Sequence, residues 1–258
     1  MIKILVIQNK RIGDVLIASV LANNLKKHFG ECHITYFVYD YTAGVIENNP
    51  NIDQIIRAND KQLKKLPVLM KTIREVKKAH YDIIIDPYSK FQSRMMTYLS
   101  NAPRRVGFKR KGKKLKLKYY THEIEFLEKA TLPCGKALED RMNLLEKAFG
   151  MVHPDPKYKI FLTEVEQQYN TLEGAQHPVI MLGVLGSTPN KSLPFEYTAK
   201  IIDTLAQKYQ ATFLFNYAPH QKEDAQKIYE LCEQKAQINM GIYEDSIRGF
   251  IKLMNQCD

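Results

Sequence analysis

The chain has 258 residues, 45% hydrophobic and 26% charged, an ordinary globular composition with length for one large or two ordinary domains. Its 38 Lys and Arg against 28 Asp and Glu leave a net charge of +10, which favours nucleic acid, an anionic membrane surface or a phosphorylated small molecule without choosing among them. No apolar run approaches the roughly 18 residues of a membrane span, the opening MIKILVI is too short for a signal peptide, and four isolated cysteines lack ligand spacing, so a soluble, reduced, cytoplasmic protein is expected.

Along the first half, short apolar runs alternate with amphipathic segments. IKILVI reads as a buried strand and DVLIASVLANNLKKHF, from Asp14, as one helix. HITYFV and DQIIRA read as strands, KQLKKLPVLMKTIREVKKAH as a helix with Pro67 near its start, and YDIIID as a strand ending in Asp86-Pro87. KFQSRMMTYLS is a helix and RRVGF a short strand. This rhythm predicts a parallel sheet with crossover helices, a doubly wound α/β domain. Residues 104–118 break it with nine cations (Arg104, Arg105, Lys109, Arg110, Lys111, Lys113, Lys114, Lys116, Lys118) and no acid. KALEDRMNLLEKAFG then forms a helix stopped by Gly150, and the proline-bearing MVHPDPKYKIFLT reads as a linker. The α/β rhythm resumes with PVIMLGVLG, ATFLFNY and AQINM as strands, each followed by a helical segment.

Two strand-to-helix connections offer chemistry. KRIGDVL, residues 10–16, follows the first strand, where ligands of parallel sheets bind. Gly13 permits close approach or a positive φ, and Asp14 stands where the first helix begins. An N-cap is the plainer reading of Asp14 on spacing alone. GSTPNK, residues 186–191, offers the hydroxyls of Ser187 and Thr188, loop amides and the ammonium of Lys191, groups suited to a phosphate or to an ordinary polar loop. Glu223, after a later strand, could accept ribose hydroxyls or merely start a solvated helix. The basic run could bind anionic lipid or nucleic acid, or form a solvated face. Neither G-x-G-x-x-G nor a P-loop is present, and the seven histidines show no metal or acyl-transfer spacing.

Taken in order, IKILVIQNKRIGDVLIASVLANNLKKHF, NPNIDQII, YDIIIDPYSKFQSR, APRRVGF, EDRMNLLEKAFG, GSTPNKSLP and APHQKEDAQKI resemble the lipopolysaccharide heptosyltransferase family, glycosyltransferase family 9. RIGDVL and NAPRRVGF are the most specific parts. The resemblance implies a GT-B fold of two Rossmann-like doubly wound domains, residues 1–155 binding the acceptor and 156–258 the nucleotide-sugar. It implies inverting, metal-independent transfer of heptose from ADP-heptose to the inner core of lipopolysaccharide, with no cofactor. Asp14 then matches the carboxylate that deprotonates the acceptor hydroxyl. Ser187, Thr188 and Lys191 match the loop that holds the diphosphate, and Glu223 the acid near the nucleoside. Lys10, Arg11, Gly13, Arg105, Lys113 and Lys114 become candidates for the anionic glycolipid acceptor, at the inner face of the inner membrane, and nucleic acid is not expected.

Two departures stand out. Leu193 occupies a position where the family usually carries an aromatic residue. The family also places an Asp-rich, Gly-Pro-His donor motif just beyond the helix matching FIKLMNQCD, whereas the sequence ends at Asp258. An incomplete C-terminal domain lacking part of its donor site is therefore expected, either as a fragment of a longer enzyme or as a natural truncation, and only in the second case is this exact chain expected to be inactive. The alternative reading is a non-catalytic homologue that binds anionic lipid or nucleic acid through residues 104–118.

Overall fold

The computed structural model describes residues 1–109, 118–242 and 244–258. They form two units, Met1–Phe161 and Leu162–Asp258. The division lies beyond the expected position at 155/156 because the linker is bonded back onto a helix of the first unit. Asp155 exchanges hydrogen bonds with Asn24 (2.7 and 2.9 Å) and pairs with Lys27, while the Lys157 carbonyl accepts from Asn23.

The N-terminal unit is built on a parallel six-stranded sheet of β1 (Ile2–Ile7), β2 (Cys32–Tyr39), β3 (Gln54–Ala58), β4 (Ile83–Asp86), β5 (Arg104–Phe108) and β6 (His122–Ile124), in the order 3-2-1-4-5-6. This is the doubly wound order, and its direction reverses between β1 and β4. β6, in a segment the periodicity leaves unassigned, is three residues long, too short for an alternation signal. The helices are α1 (Ile12–Ala18), α2 (Val20–Phe29), α3 (Leu66–Lys78), α4 (Phe91–Leu99) and α5 (Lys136–Phe149).

Because helices cover both faces, the central strands are apolar throughout rather than alternating. Ile4, Leu5, Val6 and Ile7 are all fully buried. One face of the sheet packs Leu5, Ile7, Phe37 and Ile84 against Leu69, Ile73 and Val76 of α3, spaced to lie on one helix face. Each such side chain contributes about 1.5–3 kcal/mol of burial. The helix expected as one piece from Asp14 starts at Ile12 and divides at Ser19, whose hydroxyl donates to the Leu16 carbonyl at 2.7 Å and competes with the helical ladder. α3 begins only at Leu66, where Pro67 fits the first turn.

The C-terminal unit holds α6 (Glu164–Gln167), β7 (Val179–Gly183), α7 (Phe195–Lys208), β8 (Thr212–Asn216), α8 (Lys222–Leu231), β9 (Ile238–Asn239) and α9 (Ile247–Met254). Its sheet is parallel in the order β7-β8-β9. Phe213 and Phe215 of β8 pack against Ala199, Ile202 and Ala206 of α7 and Ala225 and Ile228 of α8. Arg248 clasps Glu166 through two hydrogen bonds, one of them Nε to Oε1 at 2.6 Å, and so ties α9 to α6.

Candidate active site on two strand edges

The first candidate loop leaves the carboxyl end of β1, beside the reversal in strand order. Arg11, extended at φ −71° and ψ 161°, occupies the N-cap position, and its side chain does not cap. Asp14 lies in the first turn instead, so the capping role expected from spacing is not the one it has. Its carboxylate Oδ1 accepts from Lys10 Nζ at 2.6 Å and lies 3.9 Å from an Arg141 Nη2 on α5. Gly13 does not have the positive φ that would demand glycine, and a Cβ built there meets nothing within 4 Å. Its missing side chain leaves open space beside Asp14.

The carboxyl end of β4 carries a second, buried arrangement that sequence reasoning missed. Asp86 is fully buried; its Oδ2 accepts from the Tyr120 hydroxyl at 2.7 Å and its Oδ1 from the Ser89 amide at 2.7 Å. Ser89, at φ +50°, also accepts the Phe108 amide at 2.9 Å, so the ends of β4 and β5 are locked together. Burial pushes the Asp86 carboxyl up to about 6, against the hydrogen bonds from Tyr120 and Ser89. The Tyr120 ring packs against Gly107, where a Cβ would come within 2.3 Å of the ring. The available signal was an acid closing the apolar run IIID at a strand tip. Directly after β1, Gln8 and Asn9 are also fully buried.

The other N-terminal candidates lie elsewhere. Arg105 sits early in β5, away from the carboxyl edge. Its guanidinium donates to the carbonyls of Ala102 (2.7 Å) and Tyr119 (3.1 Å), which anchors the strand. Lys113 and Lys114 lie outside the described residues.

In the C-terminal unit, Ser187, Thr188 and Lys191 sit on the exposed loop after β7, and Glu223 in the exposed first turn of α8 after β8. Both connections leave the same edge, because Gly183 and Asn216 are register partners at the strand ends. Gln221 holds them together by donating to the Gly186 carbonyl at 2.7 Å. The loop is closed on itself: the Lys191 amide donates to the Thr188 carbonyl at 2.9 Å and the Gly186 amide to Ser192 Oγ at 3.0 Å. Gly186 is required here, since its Cβ would sit 2.3 Å from the Lys191 carbonyl oxygen. A groove of about 350 Å³ adjoins the loop, lined by Leu182, Leu185, Lys191, Leu193, Ile201 and Leu205 among others; of the four predicted donor residues it includes only Lys191. Leu193, where an aromatic residue was expected by resemblance, is exposed on its rim.

Among the described residues, no cluster of three or more His, Cys, Asp or Glu side chains is placed to hold a metal ion. No helix among them is long and apolar enough to cross a membrane. Chemically, the two edges offer a carboxylate flanked by cations and, separately, a compact loop of hydroxyls with one ammonium.

The family model described as glycosyltransferase family 9 (heptosyltransferase) matches residues 69–258. A glycosyltransferase candidate from Haemophilus influenzae is 28% identical over 94% of this chain and 70% of its own. Among solved structures, a glycosyl transferase family 9 protein from Veillonella parvula matches with a TM-score of 0.81 at 20% identity, over 99% of this chain and 74% of that one. Escherichia coli ADP-heptose LPS heptosyltransferase II matches with 0.77 at 15% identity, over 99% and 77%. Escherichia coli heptosyltransferase WaaC, solved with ADP-2-deoxy-2-fluoro heptose, matches with 0.71 at 16% identity, over 99% and 81%. The fold is therefore of the GT-B type, and the chain belongs to glycosyltransferase family 9.

Proposed function

We propose that this chain transfers a heptose from ADP-heptose to the inner core of lipopolysaccharide, with inversion at the anomeric carbon and without a metal. The N-terminal unit takes the acceptor and the C-terminal unit the nucleotide-sugar. The observation that carries the reading is Asp14, a carboxylate at the carboxyl edge of the central strand, in a chain of this family, whose described partners all fall on one oxygen. Its other oxygen is available to a substrate hydroxyl. WaaC, solved with an ADP-heptose analogue, supports the choice of donor.

In this mechanism Asp14 removes the proton of the acceptor hydroxyl as that oxygen forms its bond to C1 of the heptose. The bond from C1 to the diphosphate oxygen breaks, and its electron pair leaves with ADP. General-base assistance of this kind contributes about 10²–10⁴-fold. Lys191 and the hydroxyls of Ser187 and Thr188 stabilise the charge that grows on the departing diphosphate, and Glu223 binds the ribose hydroxyls. Lys10 and Arg11 attract the phosphates of the glycolipid acceptor, and Gly13 leaves room for its sugar. The acceptor places the protein at the inner face of the inner membrane, where Lys113 and Lys114 meet anionic lipid.

The test is release of ADP from ADP-heptose with a lipid A–Kdo acceptor, together with the anomeric configuration of the product by NMR. Transfer that survives Asp14→Asn unchanged, or a wild-type protein that releases no acceptor-dependent ADP, overturns the reading. Charge reversal at Lys113 and Lys114 is expected to weaken binding to anionic liposomes; equal binding removes the membrane contact from the proposal.

A further inference from the structure

α5 carries three consecutive buried charges, Glu139, Asp140 and Arg141, each less than a tenth exposed. Burying an ion costs several kcal/mol unless partners compensate it, so each should have a task. Two tasks are evident. Glu139 accepts from the amides of Thr131 and Leu132, and Asp140 from the Leu127 amide at 2.9 Å and from Lys136. Together they fold the segment before the helix onto it.

Arg141 has no such structural duty. One Nη donates to the Ala137 carbonyl of its own helix at 2.6 Å, and its Nε has no hydrogen-bond partner. Leu138 and Met142 of its own helix cluster with Val20 of α2. Burial pushes the guanidinium below its ordinary value, opposed first by the nearby charge of Asp14 and then by Asp140. The remaining Nη lies 3.9 Å from Asp14 Oδ1, an ion pair longer than a hydrogen bond, on the same oxygen that Lys10 reaches at 2.6 Å. Among the described residues every hydrogen bond and ion pair of Asp14 falls on Oδ1.

We propose that Arg141, with Lys10, is a positioning residue for Asp14: the two cations hold Oδ1 and leave Oδ2 to take the proton of the acceptor hydroxyl. Turning the carboxylate about its Cβ–Cγ bond would break both contacts at once. Arg141 is the fixed member, because its side chain is only 7% exposed, and Lys10, 43% exposed, is the adjustable one. A planar guanidinium suits a fixed, directional contact better than a flexible ammonium does. This inference rests on the reading of Asp14 as the base, and its test is built to fail separately from that reading.

The experiment compares Arg141→Met, Arg141→Lys and Lys10→Met in the wild-type and Asp14→Asn backgrounds, with ADP-heptose and a lipid A–Kdo acceptor. Misplacing a reacting group by about 1 Å costs about 10²-fold, so Arg141→Met is expected to lower kcat by about 30–100-fold while the KM for ADP-heptose stays within about twofold. Arg141→Lys recovers part of that loss, and Lys10→Met costs less, about 3–10-fold. In the Asp14→Asn background at saturating acceptor none of the three substitutions lowers the residual kcat further, because their effect on kcat runs through Asp14, while loss of the acceptor-phosphate contact of Lys10 appears only in the acceptor KM. If Asp14→Asn itself retains full activity, the base reading fails. If Asp14→Asn is impaired while Arg141→Met keeps wild-type kcat, or lowers the residual Asp14→Asn rate by its full factor, the positioning role alone is overturned. Should circular dichroism show Arg141→Met unfolded, the other two variants decide: wild-type kcat in both refutes the role, and reduced kcat in both, absent from the Asp14→Asn background, supports it.

Discussion

The two strand edges are built on opposite plans. At the N-terminal edge the polar groups are sunk into the unit: Asp86, Gln8 and Asn9 are fully buried, Arg141 nearly so, and Asp14 is held from the side by cations. At the C-terminal edge Ser187, Thr188, Lys191 and Glu223 stand exposed on connections shaped by a backbone bond, the Ser192 and Gln221 side chains and one glycine. The difference matches what each would do. A base has to present one oxygen in one direction, which takes surrounding side chains to define. A loop that holds a flexible, strongly charged diphosphate needs donors and a cation, and its shape can come largely from main-chain groups.

The sharpest way to break this comparison is to remove the central group of each edge. Asp14→Asn is expected to lower kcat/KM by about 10³-fold, within the range for a general base. Lys191→Met should cost about 10²-fold, chiefly in kcat, since its interaction strengthens as the diphosphate leaves. Both are read from steady-state ADP release. Equal, small losses would dissolve the contrast between an oriented base and an electrostatic loop.

Stability against pH should separate the two units by sign. Asp86 is raised from an ordinary 3.8 to about 6, so its stabilising contribution is complete below 3.8 and is lost as pH rises through about 6. That loss is on the order of 3 kcal/mol. Glu166 is the reverse case: Arg248 lowers it from 4.5 to about 2, so its contribution is present above 4.5 and lost as pH falls through about 2. Urea unfolding followed by circular dichroism should show Asp86→Asn flattening the fall between pH 4 and 6, and Arg248→Met flattening the one below 4.5. A slope unchanged by Asp86→Asn would mean that other groups carry it.

Packing tests come next in size. Gly107→Ala drives a Cβ into the Tyr120 ring and is expected to destabilise the N-terminal unit by about 1–3 kcal/mol, the usual range for overpacking. Gly186→Ala forces the loop off the Lys191 carbonyl and should raise the KM for the donor while hardly moving the urea midpoint, because the loop is exposed. Smallest of all, Ser187→Ala and Thr188→Ala remove single exposed hydroxyls, each worth about 0.5–1.5 kcal/mol if it bonds the diphosphate, or a few-fold in donor KM.

The order and type of most elements were legible in the sequence. A strand buried on both faces must be apolar throughout, and a helix covering it must be apolar at three-to-four spacing, so IKILVI and the α3 segment declare themselves locally. The resemblance carried by RIGDVL pointed to Asp14. What stayed hidden depends on partners distant in the chain. Spacing read Asp14 as a cap, yet Arg11 takes that place, and beside the local bond from Lys10 a second cation, Arg141, approaches Asp14 from 127 positions away (141 minus 14). Asp86 and Tyr120 meet only because β4 and β5 are neighbours and Gly107 lets the ring pack against it. Arg105, a candidate ligand cation in the sequence, also bonds two backbone carbonyls, which only the fold shows. Periodicity and local propensity are properties of a few adjacent residues, so the sequence alone determined the strands, the helices and the basic charge. Which oxygen of a carboxylate is held, and which buried acid is raised, depends on desolvation and on charges brought together by the sheet, and only the tertiary structure decided those.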